Sequence, residues 1–210
     1  EAMSTREPLR VAVLLSGSGT SLENLFEQIE QRALPARVVC VIASKDGAGG
    51  LARAEKRGVP AVAIPRKKYT DSRAFNDVLH AELARHDVQL VACLGFLSIF
   101  EPRERYRGRA INVHPALIPA FSGKGMYGHH VHEAVLARGV RVTGATVHFV
   151  DDEYDHGPIL LQRAGEVRDD DTPETLAARV QAVERELVPE AIRAIAEGRV
   201  KIEGRRVRVS

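Results

Sequence analysis

Short apolar segments alternate with amphipathic helical segments along the first half of the chain, and this alternation limits the folds open to it. The apolar segments lie at residues 9–15, 37–43, 61–64, 88–94 and 110–113. The helical patterns lie at residues 20–31, 49–57 and 71–85. Buried strands joined through helices need right-handed crossovers. The alternation therefore predicts an α/β fold with a Rossmann-like, doubly wound and mostly parallel sheet.

The second half of the chain has a different pattern. Its expected elements are a helix at residues 130–138, strands at 142–150 and 159–167, a long C-terminal helix from 173 to about 197 and a hairpin at 200–209. Because no helical pattern separates the two strands, we expect them to form an antiparallel extension of the sheet. Thr172 is expected to cap the long helix, since Pro173 suits the first helical position. We expect a single domain over residues 9–210, with lobes at about 9–109 and 110–210.

Composition and charge exclude several classes of protein. An apolar content of 44% and a charged content of 28% indicate a globular chain with a substantial core. The 30 basic residues nearly balance the 28 acidic ones, giving a net charge of +2, so no nucleic-acid partner is expected. No apolar stretch has the length of a membrane span, and residues 1–9 lack the apolar region of a signal peptide.

The two cysteines bear on the cellular compartment. Cys40 and Cys93 both lie inside apolar, strand-like segments, so we expect buried free thiols. Free thiols are typical of reducing compartments, and the expected location is cytoplasmic. Short edge elements and exposed apolar positions are compatible with either a monomer or a homodimer.

A polar pair, Asn112 and His114, ends the fifth apolar segment. Two residues apart in a strand, their side chains leave the same face of the sheet. Pro115 cannot continue the ladder, which places the pair at the C-terminal edge, where open parallel sheets bind ligands. An amide beside an imidazole suits an oxyanion developing on a carbonyl, and Asp155 would raise the histidine's pKa if it lies close. The alternatives are a strand-end histidine that caps the next element and, for Asp155, ordinary turn chemistry.

A glycine-rich loop joins the first strand to the first helix. Residues 16–22 read Ser-Gly-Ser-Gly-Thr-Ser-Leu, and small residues let backbone N–H groups approach an anion at a helix N-terminus. The dinucleotide-binding fingerprint requires a glycine where Leu22 stands, and the Walker pattern requires a lysine that the loop lacks. The hydroxyls of Ser18, Thr20 and Ser21 favour a single phosphate over a pyrophosphate. An ordinary tight turn is the alternative.

Three further features have competing interpretations. Residues 95–100 are apolar in a loop position, which fits either a buried connector or the apolar side of a pocket for a flat heterocycle. The cluster of His129, His130 and His132 invites metal ligation, but no zinc-type spacing is completed and no metal is expected. A loop-to-helix junction near the substrate is the favoured interpretation. His148 lies in an alternating strand, which favours a structural histidine.

These motifs together resemble those of the phosphoribosylglycinamide formyltransferase family, within the folate-dependent formyltransferase superfamily. The resemblance runs from about residue 11 to residue 198. Its most specific parts lie at residues 16–19, 94–96, 111–119, 143–149 and 155–159. The resemblance implies transfer of a formyl group from 10-formyltetrahydrofolate, a co-substrate, to the amine of 5-phosphoribosylglycinamide in purine biosynthesis. It implies neither a metal nor a covalent enzyme intermediate.

The resemblance also assigns roles to individual residues. Catalysis is assigned to Asn112, His114 and Asp155, with Asp155 raising the pKa of His114. Contacts to the phosphate and ribonucleotide are assigned to Gly19, Thr20, Ser21, Gln181 and Glu184. Contacts to the formyl-folate are assigned to Arg73, Leu97, Ser98, Ile99, Phe100 and Asn112. The N-terminal lobe would then bind the phosphate, and the C-terminal lobe would carry catalysis and folate binding.

The chain departs from the family pattern at three positions. Ser21 stands where the family usually has asparagine, and Ser98 stands where arginine is common. Both replacements shorten a side chain that is expected to contact a substrate. His156 replaces a frequent glycine beside Asp155.

Three other functions fit parts of the pattern. A formyltetrahydrofolate hydrolase shares the catalytic trio but usually carries an N-terminal regulatory domain. A methionyl-tRNA formyltransferase usually carries a C-terminal nucleic-acid domain. The first strand begins by residue 10 and the chain ends soon after the last helix, so we expect neither appendage. A non-catalytic sensor of phosphoribosyl ligands would leave the polar trio without a function.

Overall fold

The computed structural model describes residues 6–210 of the chain. Within that range the strands are β1 Leu9–Leu15, β2 Ala36–Ala43, β3 Ala61–Ala63, β4 Leu90–Cys93, β5 Ala110–His114, β6 Val142–Phe149, β7 Ile159–Glu166, β8 Val200–Glu203 and β9 Arg206–Val209. The helices there are α1 Thr20–Arg32, α2 Gly49–Lys56, α3 Ser72–Ala84, α4 Arg103–Tyr106, α5 His129–Arg138 and α6 Pro173–Ala196. A 3₁₀ turn, Arg66–Lys68, follows β3.

The main sheet has the strand order β3-β2-β1-β4-β5-β6-β7. Strands β1 to β5 are mutually parallel, while β6 and β7 extend the sheet in antiparallel pairing. This architecture confirms the predicted doubly wound sheet with an antiparallel extension. The sequence of β1 is a continuous apolar run because both faces of this central strand are covered, and residues 11–15 are almost fully buried. Strands β8 and β9 pair with each other as the predicted hairpin.

Helices cover both faces of the sheet. On one face α1, α5 and α6 contribute Leu25, Val135 and Leu176 to a core cluster that also contains residues of β1 and β6. On the opposite face α3 contributes Phe75 and Leu79 to a second cluster. Burying a side chain of this size contributes about 1.5–3 kcal/mol, so the two clusters fix the helices on the sheet. None of the helices in residues 6–210 combines the length and the apolar character needed to cross a membrane.

The long helix α6 starts where the sequence predicted and contains an internal proline. Thr172 caps the helix, because its hydroxyl accepts a hydrogen bond from the backbone N–H of Thr175 at 3.2 Å. Pro189 lacks the N–H that would otherwise bond to the carbonyl of Arg185. Asn24 on α1 donates to that carbonyl at 3.0 Å and so satisfies the freed acceptor. The proline site thereby also connects α6 to α1.

Two short elements and one strand boundary differ from the predictions. The turn Arg66–Lys68 and helix α4 are each one turn long, which is too short to show a hydrophobic periodicity. Strand β4 begins at Leu90 instead of residue 88. The backbone N–H of Gln89 still donates to the carbonyl of Arg10 at 2.9 Å, but the Arg10 N–H bonds to the side-chain oxygen of Gln89 at 3.0 Å instead of to a backbone carbonyl. Pairing of β4 with β5 carries the sheet across the expected lobe boundary at residue 109, and the division into lobes stays a prediction.

Candidate active site

The C-terminal ends of β1, β4 and β5 open into a cavity of about 610 Å³. Thr20 and Ser21 line it after β1, residues 95–100 line it after β4, and residues 112–115 line it at the end of β5. Strands β1 and β4 are neighbours in the sheet although β2 and β3 lie between them in the chain. Such a switch point is where open α/β sheets bind ligands. This cavity is therefore the candidate active site.

Asn112, His114 and Asp155 come together in the cavity. Asn112 Nδ2 donates to Oδ1 of Asp155 at 3.4 Å, and His114 Nδ1 lies 3.4 Å from Oδ2 of the same carboxylate. The backbone N–H of Gly123 also donates to Oδ2, at 3.0 Å. The side chains of His114 and Asp155 are only 4% and 9% exposed, so water screens their interaction weakly. The resemblance implied this convergence of three residues from two separate segments.

The protonation of His114 depends on two opposing effects. Its Nε2 donates to the carbonyl of Phe121 at 2.7 Å, which leaves Nδ1 facing the carboxylate of Asp155. Burial lowers the pKa of His114, while the charge of Asp155 and the Phe121 carbonyl raise it. Burial is the larger effect, and the pKa lies below its ordinary value of 6.5. Asp155 does raise the pKa of His114, as expected, but burial lowers it by more. The expected rise in the pKa of His114 is therefore wrong for the histidine as a whole.

Asp155 is held as a carboxylate in a fixed loop. Burial alone would raise its pKa, but the neighbouring His148 imidazole, the charge of His114 and the Gly123 N–H together lower it below 3.8. The backbone of Asp155 is left-handed, with φ of 52°. A side chain at Gly157 would collide with the carbonyl of Phe149, so this loop passes directly against the end of β6. The close approach explains why glycine follows the acidic turn.

His148 belongs to the same cluster, and its predicted structural role stays a prediction. Its Nδ1 donates to the carbonyl of Phe149 at 2.9 Å, and its Nε2 lies 3.1 Å from Nδ2 of Asn112. The distance from Nε2 to Oδ1 of Asp155 is 3.7 Å. Antiparallel pairing places His148 directly opposite Asn112, and cross-strand partners share a face of the sheet. This register was the signal that could have identified His148.

Part of the cavity is lined by Thr20, Ser21, Gln181 and Glu184, and it is here called the phosphate end after the predicted role of these residues. Gly19 precedes α1 in a left-handed conformation with φ of 76°, and it supplies no side-chain cap. Gly19 does not line the cavity; a Cβ there would lie 2.6 Å from Cα of Gly50, so the close approach of α2 requires glycine. Burial raises the pKa of Glu184 to about 7. Four of the five predicted ribonucleotide residues therefore face the same space.

Residues 97–100 form an apolar wall of the cavity. Ser16 accepts a hydrogen bond from the backbone N–H of Leu97 at 2.9 Å, which fixes the start of the segment. Asn76, fully buried on α3, donates to the carbonyl of Ile99 at 3.1 Å and accepts from the N–H of Glu101 at 2.8 Å. These contacts hold both ends of the segment in a fixed position. Leu97, Ser98, Ile99 and Phe100 all line the cavity, as predicted.

Arg73 and His156, which the sequence analysis also singled out, lie outside the cavity lining. Arg73 is exposed on α3, because the apolar face of that helix packs on the sheet and turns Arg73 outward. The structure therefore does not place it with the predicted folate-binding residues. His156 is also exposed, and its Nδ1 lies 2.6 Å from Oδ2 of Asp151. The histidine at this position, where the family often has glycine, therefore forms a pair with Asp151 on the exposed side of the acidic turn.

The histidine cluster divides between the cavity and the surface. His129 and His132, on the first turn of α5, line the cavity, whereas His130 points away and lies 3.8 Å from Glu133. The structure thus confirms a loop-to-helix junction at the candidate site. Within residues 6–210, no three or more His, Cys, Asp or Glu side chains are grouped so that they could hold a metal ion.

Comparison with known proteins decides the family. Residues 9–192, most of the chain, match the family described as formyl transferase. The chain belongs to the formyl transferase family. The matched region contains every residue of the candidate active site, so the family and the cavity point to the same part of the molecule.

Relatives within the formyl transferase family resemble the chain over nearly its whole length. The crystal structure of glycinamide ribonucleotide transformylase 1 from Symbiobacterium toebii has a TM-score of 0.91 and 39% identity, covering 100% of this chain and 98% of that one. The chloroplastic phosphoribosylglycinamide formyltransferase of Arabidopsis thaliana is 39% identical over 203 residues, covering 94% of this chain and 70% of that protein. The trifunctional purine biosynthetic protein adenosine-3 of Gallus gallus is 38% identical over 196 residues, or 92% of this chain. The chain spans about a fifth of that trifunctional relative, the covered share being 19%.

Proposed function

We propose that the chain transfers the formyl group of 10-formyltetrahydrofolate to the amine of 5-phosphoribosylglycinamide, giving formylglycinamide ribonucleotide and tetrahydrofolate. The observation that carries this proposal is that Asn112, His114 and Asp155 share one cavity with the start of helix α1 and with an apolar wall. The helix start suits an anion, and the apolar wall suits a flat ring system. A phosphorylated amine and a folate heterocycle have these two characters. Family membership and the similar transformylases support the same reaction.

The two substrates are expected to bind in different parts of the cavity. The ribonucleotide phosphate would accept hydrogen bonds at the start of α1, from the segment formed by Gly19, Thr20 and Ser21. Gln181 and Glu184 of α6 would close the phosphate end around the ribose. The formyl-folate would pack against the apolar wall. The amine and the formyl carbon would then meet beside the trio.

The chemical step forms a tetrahedral oxyanion. The lone pair of the amine attacks the formyl carbon, and the carbonyl electron pair moves onto oxygen. Asn112 would donate a hydrogen bond to this oxygen, and His114 would do so once it has accepted a proton; a donor of this kind is worth about 2.7–4 kcal/mol. The 3.4 Å bond from Asn112 to Asp155 is long and therefore weak, so its hydrogen is available to the oxyanion at little cost.

The reaction also moves one proton from the attacking amine to the departing folate nitrogen. Because burial keeps the pKa of His114 low, the free site contains a neutral imidazole that can accept this proton. The resulting imidazolium lies between the oxyanion and the carboxylate of Asp155, and both negative charges favour it. When the carbon–nitrogen bond of the folate breaks, the proton passes to the leaving nitrogen, directly or through water. Replacing His114 by alanine should lower kcat about 10²–10⁴-fold, and unchanged turnover would refute this role.

The product of the folate substrate tests the proposed function. Purified protein is mixed with 10-formyltetrahydrofolate, with and without 5-phosphoribosylglycinamide, and tetrahydrofolate is followed by absorbance. Product that appears only with the ribonucleotide establishes the transferase. Product without it indicates a formyltetrahydrofolate hydrolase, and binding of the ribonucleotide without any product indicates a phosphoribosyl sensor.

A cytoplasmic location and a monomeric or homodimeric state belong to the same proposal. Cys40 and Cys93 are free and buried, and burial raises the pKa of each thiol to about 12. Thiols of this kind are unreactive and are typical of reducing compartments, which supports the location. Partners other than small molecules are not required by the reaction. Sedimentation velocity at several protein concentrations distinguishes the two oligomeric states.

A further inference from the structure

His132 is a buried polar side chain that the reaction described above does not use. It is 4% exposed, and its Nδ1 is buried without a hydrogen-bond partner among residues 6–210. Its Nε2 also makes no hydrogen bond within the described part of the chain, although the ring lines the active-site cavity. A buried donor or acceptor without a partner costs about 1–3 kcal/mol, so a native protein rarely keeps one without a function. The ring is thus available to a ligand in the cavity.

His129 stands one helical turn before His132 and faces the same space. Together they form the first turn of α5, which Gly128 precedes without a side-chain cap. The start of α1 at the phosphate end is likewise uncapped. Both helices pack against α6, whose residues 177, 181 and 184 line the cavity between them. Two uncapped helix N-termini therefore border one ligand space.

The charges around this space identify the ligand chemistry. The cavity lining in the described chain includes no arginine, and its only lysine, Lys124, is exposed on a loop. His114 and His148 both lie within 4 Å of Asp155, and each donates its ring N–H to a backbone carbonyl. A phosphate monoester brings nearly two negative charges, which the N-terminus of α1 alone neutralises only in part. His129 and His132 of α5 line the cavity and have no such carboxylate partner within residues 6–210.

We propose that His129 and His132 bind the phosphate ester of the ribonucleotide, completing with the α1 N-terminus a site between two helices. The inference deepens the proposed function and rests on it. Imidazole N–H groups would donate to phosphate oxygens, and Nδ1 or Nε2 of His132 would gain the partner that it lacks. The two histidines would set specificity for a phosphorylated amine over its unphosphorylated form.

Binding of ribose 5-phosphate, compared with ribose, measures this contribution without turnover. His129→Gln and His132→Gln should each weaken ribose 5-phosphate binding about tenfold or more, because each removes a charge-assisted hydrogen bond. His130→Gln is the matched control, since that side chain lies on the same helical turn but outside the cavity. It should change the affinity less than twofold. The KM for 10-formyltetrahydrofolate should stay unchanged in all three variants.

Wild-type affinity for ribose 5-phosphate in both His129→Gln and His132→Gln would overturn the proposal, as would an equal loss in His130→Gln. If His132→Gln fails to fold, the affinity of His129→Gln and the imidazole NMR signals of the wild-type protein still test whether the histidines bind the phosphate. The His132 signals should shift on addition of ribose 5-phosphate and not on addition of ribose, and unshifted signals would refute the contact. Histidine-dependent binding without formyl transfer would keep this inference and reject the proposed function. Formyl transfer with an unaltered ribonucleotide KM in His129→Gln and His132→Gln would support the proposed function and reject the binding role of the two histidines.

Discussion

Asn112 and His148 face each other across the β5–β6 ladder, with Nδ2 of Asn112 3.1 Å from Nε2 of His148. Because Nδ1 of His148 donates to the carbonyl of Phe149, Nε2 remains an acceptor for the amide. One Asn112 hydrogen is thereby committed to His148, which fixes the plane of the amide and directs its other hydrogen toward the acidic turn. His148 is a positioning residue for the proposed oxyanion donor.

Replacing His148 tests this positioning. In His148→Phe the amide loses its acceptor, and we expect kcat to fall about 10–100-fold because the donor is no longer oriented. His148→Gln restores an acceptor oxygen and should recover part of that loss, with the KM for both substrates little changed in either variant. Steady-state kinetics beside thermal unfolding provide the measurement. A positioning role would be contradicted if both variants lost the same amount of kcat and that loss matched their loss of thermal stability.

The carboxylate of Asp155 is expected to control the protonation of His114. Asp155→Asn removes the charge that raises the pKa of His114 and leaves burial unopposed, so this pKa should fall further below its ordinary value. The imidazolium becomes harder to form, and kcat should fall about a hundredfold or more. NMR titration of His114 and kcat between pH 5 and 9 are the two measurements. Asp152→Asn is the control, because Asp152 is exposed on the same loop and outside the cavity lining. An unchanged or raised His114 pKa in Asp155→Asn would be inconsistent with the assigned contact.

Glu184 should make the free protein less stable as the pH rises. Its folded pKa of about 7 exceeds the ordinary 4.5, so the folded state retains a proton that the unfolded state has lost between these values. The stability contributed by the protonated form is present below pH 4.5 and is lost as the pH rises through 7. At pH 8 the wild type must fold with a carboxylate in this site, whereas Glu184→Gln has a neutral side chain there. The melting temperature of Glu184→Gln should therefore exceed that of the wild type by a few degrees at pH 8 but not at pH 4.5. An advantage at pH 4.5 that is as large as at pH 8 would argue against a buried carboxyl with a raised pKa.

Asn76 is expected to affect folate binding without contacting the folate. Asn76→Asp keeps the acceptor for Glu101 but loses the donor to Ile99, which releases one end of the apolar wall. We expect the KM for 10-formyltetrahydrofolate to rise about five- to tenfold, a cost of the size of one lost hydrogen bond. The KM for the ribonucleotide should not change. Asp77→Asn, at the adjacent exposed position, is the control; a parallel rise in both KM values of Asn76→Asp would point to general destabilisation.

Most of the fold follows from local patterns in the sequence. The run Leu9–Leu15 and the Thr172 cap each carry their own physical signal, burial on two faces and a hydroxyl before a helix. Asn112 and His114 were predictable for a similar reason, because a strand alternates its faces and Pro115 ends it. Helix α4 has no such signal, since four residues show no period.

The parts of the site that depend on pairing or burial were not predictable. His148 faces Asn112 only through the register of β5 with β6, which no local pattern specifies. The pKa of His114 depends on the burial that the whole cavity imposes, and the Asp155 contact alone predicts the wrong net direction. Arg73 was assigned by resemblance, and the face of α3 that packs on the sheet turns it away from the cavity.

The destination of the formyl carbon is the most direct test of the central claim. A single turnover with 10-formyltetrahydrofolate labelled with ¹³C in its formyl group, in the presence of 5-phosphoribosylglycinamide, is analysed by NMR of the quenched mixture. We predict that the label appears in the formamide of the ribonucleotide, at a rate that His114→Ala lowers strongly. Label recovered as free formate, or transfer that proceeds at the wild-type rate in His114→Ala, would contradict the account.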